Sequence, residues 1–184
     1  MEFASIAHMA VLAAFGGLLV WAAYTDFTKF VIPNAISVAL LALYPIHVIT
    51  APGETYWAFS VAIAAVVLLV GFMMFVLGAM GGGDVKLMSA CMLWAGPIYL
   101  LPFVGVMLAA SVLLAVYAAI RMAAEMDHLP AGAAVGDAAT RPRASSFKWV
   151  LNLRFVPLTK LNVPYGVAIS AGGLTFLVLT VLHP

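Results

Sequence analysis

Long apolar runs follow one another along this chain, each near the length of a bilayer crossing, with short polar breaks between them. A helix needs about 20 apolar residues to cross the hydrocarbon core. Backbone exposed to lipid must satisfy its own hydrogen bonds, which leaves helices or a closed barrel. Runs this long and this continuous suit helices. Residues 6–24, 34–49, 58–80, 85–100, 101–120 and 164–182 read as spans. Composition agrees, at 66% hydrophobic and 8% charged, against about 25% charged in an ordinary soluble domain. The expectation is an all-α polytopic integral membrane protein of about six transmembrane helices, forming a single domain over residues 1–184. A net charge of +1 implies no nucleic-acid partner.

Charge placement sets the orientation. No Lys or Arg precedes the first apolar run and Glu2 is acidic, so that run reads as a retained span with its N-terminus outside. The breaks at 25–34, 81–86 and 121–163 then lie inside. All 8 basic residues fall there: Lys29, Lys86, Arg121, Arg141, Arg143, Lys148, Arg154 and Lys160. Glu2 and Glu54 lie on the outer side. This is a strong positive-inside bias. Joining residues 85–100 and 101–120 into one helix would carry the long loop and most of the positive charge outside, so the six-span reading is preferred. Both termini are then periplasmic, and 121–163 is a cytoplasmic loop. Its first part is small, polar and rich in Pro and Gly, hence flexible. Residues 147–162, "FKWVLNLRFVPLTKLN", mix aromatics with basic residues. They suit the membrane interface, as an anchor for the last span or as a contact for a substrate's polar flank.

Several residues have plain structural readings. Cys91 reads as a small core residue, and one cysteine excludes an internal disulfide. The methionines read as core filler or lipid-facing side chains. Gly78 with Gly82, and Ala168 with Gly172, have the four-residue spacing that lets helices approach in lipid. His8, His47 and His183 fall toward the outer face and His128 in the loop; no pair has ligand spacing, so neither metal nor cofactor is expected.

Two acids stand out. Asp26, in "TDFTKFVIPN", and Asp84, in "MGGGDVKLM", sit in short breaks at the inner ends of spans. A carboxylate near hydrocarbon is costly, about 2.5–3.5 kcal/mol at a helix centre and less near the interface. Singly, each has a structural explanation. Asp84 can cap the helix that follows the glycines, and Asp26 can sit in a turn, paired with Lys29. Together they suggest chemistry. They share one side of the membrane and come from different helices, so packing can bring them face to face. Two close carboxyls do not both ionise readily. One keeps its proton while the other stays charged, an acid and a base in one site. Such a pair can hydrolyse an amide through water. Gly81, Gly82 and Gly83 lack side chains and reach unusual backbone angles, letting an extended substrate approach Asp84 through a wet cleft.

These residues carry a resemblance. "TDFTKFVIPN" and "GGGDVKLM" resemble the two signature motifs of type IV prepilin peptidases, within the GxGD intramembrane aspartyl proteases. "VPYGVAIS", residues 163–170, is similar to that family's segment opening the last span, and the three occur in family order. The resemblance implies that Asp26 and Asp84 are catalytic, that prepilin-like precursors with a basic leader are cut after a glycine at the cytoplasmic membrane face, and that the chain sits in the bacterial inner membrane beside the pilus-assembly machinery. Long forms add a domain with paired CxxC motifs and methylate the new N-terminus. With one cysteine, and a first span running straight into the Asp26 break, this chain resembles the short form associated with Flp-type pili. Peptidase activity is expected and methyltransferase activity is not.

Supporting roles fall to Lys29 and Lys86, as orientation signals or modulators of the pair's protonation. Pro33 and Asn34 shape the start of the second span, with Pro33 suited to a first helical turn. Pro164, Tyr165 and Gly166 line the cleft or simply open the last helix. Glu125 and Asp127 attract a basic leader or are solvated loop charges. Two other functions compete: an ion-coupled transporter using the acids as a relay, and a non-enzymatic scaffold. Acids at one face rather than at mid-depth disfavour transport.

Overall fold

The computed structural model describes residues 2–53, 55–127 and 164–182. They form six helices: α1 Glu2–Lys29, α2 Asn34–Thr50, α3 Trp57–Val76, α4 Gly82–Ala95, α5 Leu100–Asp127 and α6 Tyr165–Leu182. Among the described residues there is no strand. The stretches Ile6–Lys29, Trp57–Val76, Leu100–Ala118 and Tyr165–Leu182 are each long and apolar enough to cross a membrane. Helices α2 and α4 are shorter, at 17 and 14 residues. The chain is an all-α, multi-pass membrane protein. The expectations for the loop at 128–163, with its basic residues, and for the side chains of Glu2, Glu54, Glu125, Asp127, His128 and His183, lie outside the described residues.

The chain divides into two compact units, residues 1–112 with 164–184, and residues 113–163. The described part of the second is the end of α5, where Arg121 Nη1 donates to the Tyr117 hydroxyl at 3.4 Å.

In the first unit α4 is the hub, packing against α2, α3 and α6, while α1 packs against α2 and α6. From Ala90 to Ala95 every residue of α4 is buried, so neighbours surround it on all sides. It starts at Gly81, an extended N-cap (φ −72°, ψ 142°), and stops at Gly96 (φ +55°), followed by Pro97. Only glycine takes that φ cheaply, and a Cβ there would also meet Ser60 Oγ at 2.6 Å. This break separates α4 from α5.

Lipid tails are as apolar as leucine, so these helices associate by close packing and hydrogen bonds rather than by burial from water. Helix α3 shows it. Its buried residues are Ser60, Ala64 and Gly71, while Phe59, Leu69, Phe72 and Met73 are exposed to the surroundings. A Cβ on Gly71 would lie 2.8 Å from Val85 Cγ1, and Ser89 Oγ donates to the Ala64 carbonyl at 2.8 Å. Trp94 Nε1 donates to the Leu40 carbonyl at 3.0 Å, tying α4 to α2. On α6, Ala168 and Gly172 are buried as their spacing predicts. Gly78 and Gly82 do not form a matching pair, because Gly78 lies outside the helices at φ +72° with open space around it. Cys91 is fully buried, as expected.

The expected span limits need four corrections, the first being that the span expected at 85–100 is α4 at Gly82–Ala95, stopped by Gly96. Helix α1 continues through the polar residues to Lys29, because a backbone helix can outrun its apolar stretch. Asp26 therefore lies on a helix, not in a turn. Helix α3 ends at Val76, four residues early, in a glycine-containing turn. Helix α5 extends to Asp127.

A Cβ on Gly172 would lie 2.9 Å from the Phe103 backbone oxygen. Backbone cannot swing aside, so Gly172→Val should cost about 1–3 kcal/mol and lower the melting temperature in detergent. Gly17→Ala, with nothing within 4 Å of its Cβ, should melt close to the wild type.

Candidate active site

Three helix ends meet around Asp26: the C-terminal turn of α1 and the N-terminal turns of α4 and α6. Asp26 is 5% exposed. Its Oδ2 accepts the Val167 N–H at 3.3 Å, and the Gly166 N–H is also within hydrogen-bonding reach. These N–H groups belong to the first turn of α6, and the Val167 N–H is shared between Asp26 and the Pro164 carbonyl, 3.2 Å away. The carboxylate of α1 thus caps α6, where the helix dipole favours negative charge. Asp26 does not act through Lys29, which is exposed at the end of α1. A Cβ on Gly166 would lie 2.9 Å from Asp26 Cγ and Oδ2. Gly166 is therefore what allows α6 to approach the carboxylate.

Asp84 is the third residue of α4, not its N-cap; Gly81 holds that position. The Asp84 carboxylate reaches back to the Gly81 N–H, the acid half of a capping box. The expected irregular glycine run is also corrected. Gly82 and Gly83 are helical, and none of Gly81, Gly82 and Gly83 has a positive φ. Their value is space. Gly81 leaves room for Asp84 Oδ2, 2.8 Å from where its Cβ would be, and Gly83 faces Ile32. Asp84 stands one residue ahead of the apolar run of α4. Burial, then the nearby Asp26 charge, push its carboxyl up to about 6. The two acids, distant in sequence, are close enough to sense each other.

The short linker between α1 and α2, residues 30–33, completes the site. Phe30 ends α1 at φ +51°, unusual for a residue with a side chain. Its N–H donates to the Asp26 carbonyl at 2.9 Å. Pro33 lies just outside α2 as its N-cap, with φ −61° and ψ 131°, rather than in the first turn. Asn34 Oδ1 accepts from Lys86 Nζ at 3.0 Å, joining the two motifs at the mouth of the site. Both residues were expected in supporting roles; their pairing was not foreseen. Tyr165 is 36% exposed at the start of α6 and Pro164 precedes it, half-buried. Ile32 was missed altogether. It is 9% exposed, and the only hint in the sequence was its place inside the motif.

Among the described residues no group of three or more His, Cys, Asp or Glu side chains is arranged to hold a metal ion. His8 and His47 stack at 5.2 Å between ring centroids and line a cavity of about 730 Å³ with Tyr44, Thr50 and Trp94. His8 lies near the start of α1 and Asp26 near its end, so this cavity is separate from the carboxylates, as the sequence suggested for both histidines.

A profile of the type IV leader peptidase family matches residues 13–119, more than half of the chain, including both aspartates. This chain belongs to the type IV leader peptidase family. No curated protein and no solved structure matches it. As a type IV leader peptidase the chain is a peptidase of the aspartic type.

Two tests follow from this geometry. In the folded protein Asp84 holds its proton to about pH 6, raised from 3.8. Between these values the folded state binds more protons than the unfolded state, so stability falls as pH rises. Asp84→Asn should flatten that part of the stability–pH curve, measured by thermal melts from pH 4 to 7. Asn34→Ala and Lys86→Met should each lower the melting temperature slightly. The double variant should lose no more than either single one, as expected for one shared bond.

Proposed function

We propose that this peptidase removes the leader from prepilin-like precursors, with Asp26 and Asp84 as the acid–base pair. One observation carries the assignment: two carboxylates from distant segments lie close enough to feel each other's charge, each given room by a glycine, Gly166 beside Asp26 and Gly81 beside Asp84. The Flp-type pilins are the proposed substrates, because the two motifs and the short polar break after α1 resemble the short form of the family. The site is proposed to face the cytoplasm in the bacterial inner membrane. The positions of Lys29 and Lys86 support this orientation by the positive-inside rule, and it puts both termini in the periplasm. The pilus-assembly machinery is the proposed neighbour.

The chemistry needs one ionised and one protonated carboxyl. The ionised member takes a proton from water as its oxygen adds to the scissile carbonyl carbon. The protonated member donates to the carbonyl oxygen, giving a neutral tetrahedral diol. The two acids have now exchanged roles. The newly protonated one donates to the amide nitrogen, the C–N bond breaks, and the other recovers a proton from a diol hydroxyl. One water is consumed, and a carboxylic acid and an amine leave. Asp84 is suited to hold the first proton, since burial and the Asp26 charge both favour its neutral form. The titration belongs to the pair.

Asp26→Asn and Asp84→Asn, purified in detergent and given a prepilin, should each cut at least about 100-fold more slowly while melting as folded proteins. Normal processing by both variants would remove the assignment.

A further inference from the structure

The end of the bundle away from the carboxylates holds the cavity of about 730 Å³. Its walls come from the starts of α1 and α3 and the ends of α2, α4 and α6. Tyr44, Trp94 and Phe176 give it an aromatic lining, and among its described lining residues there is no Lys, Arg, Asp or Glu. Tyr56 also lines it and is exposed, as is the neighbouring Trp57. Such a pair marks a membrane interface, so the cavity lies within reach of bilayer components.

Most polar groups around it are engaged. His8 Nδ1 lies 3.5 Å from Thr50 Oγ1, the Ser60 hydroxyl is within hydrogen-bonding reach of Tyr44, and Trp94 Nε1 donates to the Leu40 carbonyl. Two atoms on lining side chains are not. His47 Nδ1 and Thr180 Oγ1 are buried without a partner, and His47 as a whole is 7% exposed. Thr180 departs from its kind. Thr25, Thr28, Thr50 and Thr175 each donate to a carbonyl three or four residues back in their own helix, and Thr180 does not. Phe176, one turn before Thr180, meets the His47 ring edge-on at 5.9 Å between centroids. The two free atoms thus belong to side chains on adjoining parts of the wall. Leaving such atoms unpaired costs the folded protein stability, and an occupant that pairs them removes the cost.

We infer that this cavity is a binding site for a neutral, carbonyl-bearing lipophile taken from the membrane. The uncharged lining selects a neutral ligand, and the aromatic walls select an apolar body. Both free atoms can donate, the threonine through its hydroxyl and the imidazole in one of its two tautomers. The group that suits two donors is an acceptor with two lone pairs, a carbonyl oxygen. Two membrane sources carry one: the ring ketone of a quinone and the ester of a glycerolipid. The site is independent of the peptidase chemistry at the other end of the bundle.

The test uses the full chain, washed free of lipid in detergent, with decylubiquinone as the ketone probe and dioctanoylglycerol as the ester probe. A saturable rise in melting temperature with either probe supports the site, and the probe that gives it identifies the source. His47→Phe keeps a ring against His8 and Trp94, and Thr180→Val keeps the side chain's shape. Each should weaken the apparent affinity at least about tenfold, the scale of one hydrogen bond to a buried group. Each should also leave the ligand-free melting temperature unchanged or higher, because it deletes a buried atom that has no partner. A structural role predicts the opposite, a lower ligand-free melt. If one variant fails to fold, the other decides. The inference is overturned by no saturable rise with either probe, by a rise that neither variant weakens, or by lowered ligand-free melts in the folded variants. The cavity then holds only water or loose lipid chains.

Discussion

The site depends on a carboxylate of the first helix accepting the amide N–H groups that open the last one. Asp26 is almost completely removed from solvent, and a carboxylate so placed needs donors. The first turn of α6 offers N–H groups that the helix itself satisfies only in part, the Val167 N–H having just the Pro164 carbonyl at 3.2 Å besides Asp26. Each element supplies what the other lacks, and the contact joins opposite ends of the chain. It works only because residue 166 has no side chain, since a Cβ would be driven into the Asp26 carboxyl and into Ile32. A hydrogen bond to a carboxylate is more directional than apolar packing, so it also helps set how α6 is placed against α1.

Asp84 is held by the same kind of force in a local form. It turns back on the amide of Gly81 at the start of its own helix. Asp84 lies at the positive end of its own helix, and Asp26, on the C-terminal turn of α1, faces the positive end of α6, where the dipole offsets part of the cost of burying charge. Their difference lies in reach. Asp26 bridges two helices, whereas Asp84 is anchored within one, on the helix that the other helices surround. The mutual repulsion of two nearby carboxylates is what gives the pair an acid and a base from one residue type. Lys86 is two residues beyond Asp84, but its ammonium group donates to Asn34 and ties the start of α2 to α4.

Much of this was legible in the sequence. Hydropathy located the helices, because a lipid-exposed backbone has almost no alternative. Charge placement called for a division between the fourth and fifth spans, expected at 100/101; the structure puts it earlier, at Gly96 and Pro97. The two aspartates stood out because charge is so rare in this chain. Several of the errors came from one source. Polar residues were read as breaks, yet backbone hydrogen bonding carries α1 through Thr25, Asp26 and Thr28, and it begins α4 at Gly82. The threonine hydroxyls bond back to carbonyls of their own helix, Thr25 to Ala22 at 3.0 Å and Thr28 to Tyr24 at 2.7 Å, and so cost the helix little. Asp84 was read as capping the helix it opens, and it does accept the Gly81 N–H, though from the third residue of α4 and not from the N-cap position.

The sequence by itself determined that this is a helical membrane protein, roughly where its helices run, and which two acids are worth suspecting. Solvent incompatibility acts on each segment separately and leaves its mark in local composition. Tertiary structure alone decided that Asp26 serves the first turn of α6, that Lys86 pairs with Asn34, and that Ile32 stands between two glycines beside the carboxylates. Those are contacts between residues far apart in the chain, fixed by how closely particular helix ends can approach. No segment carries that information alone, because it resides in the missing side chain of one helix and the filled space of another.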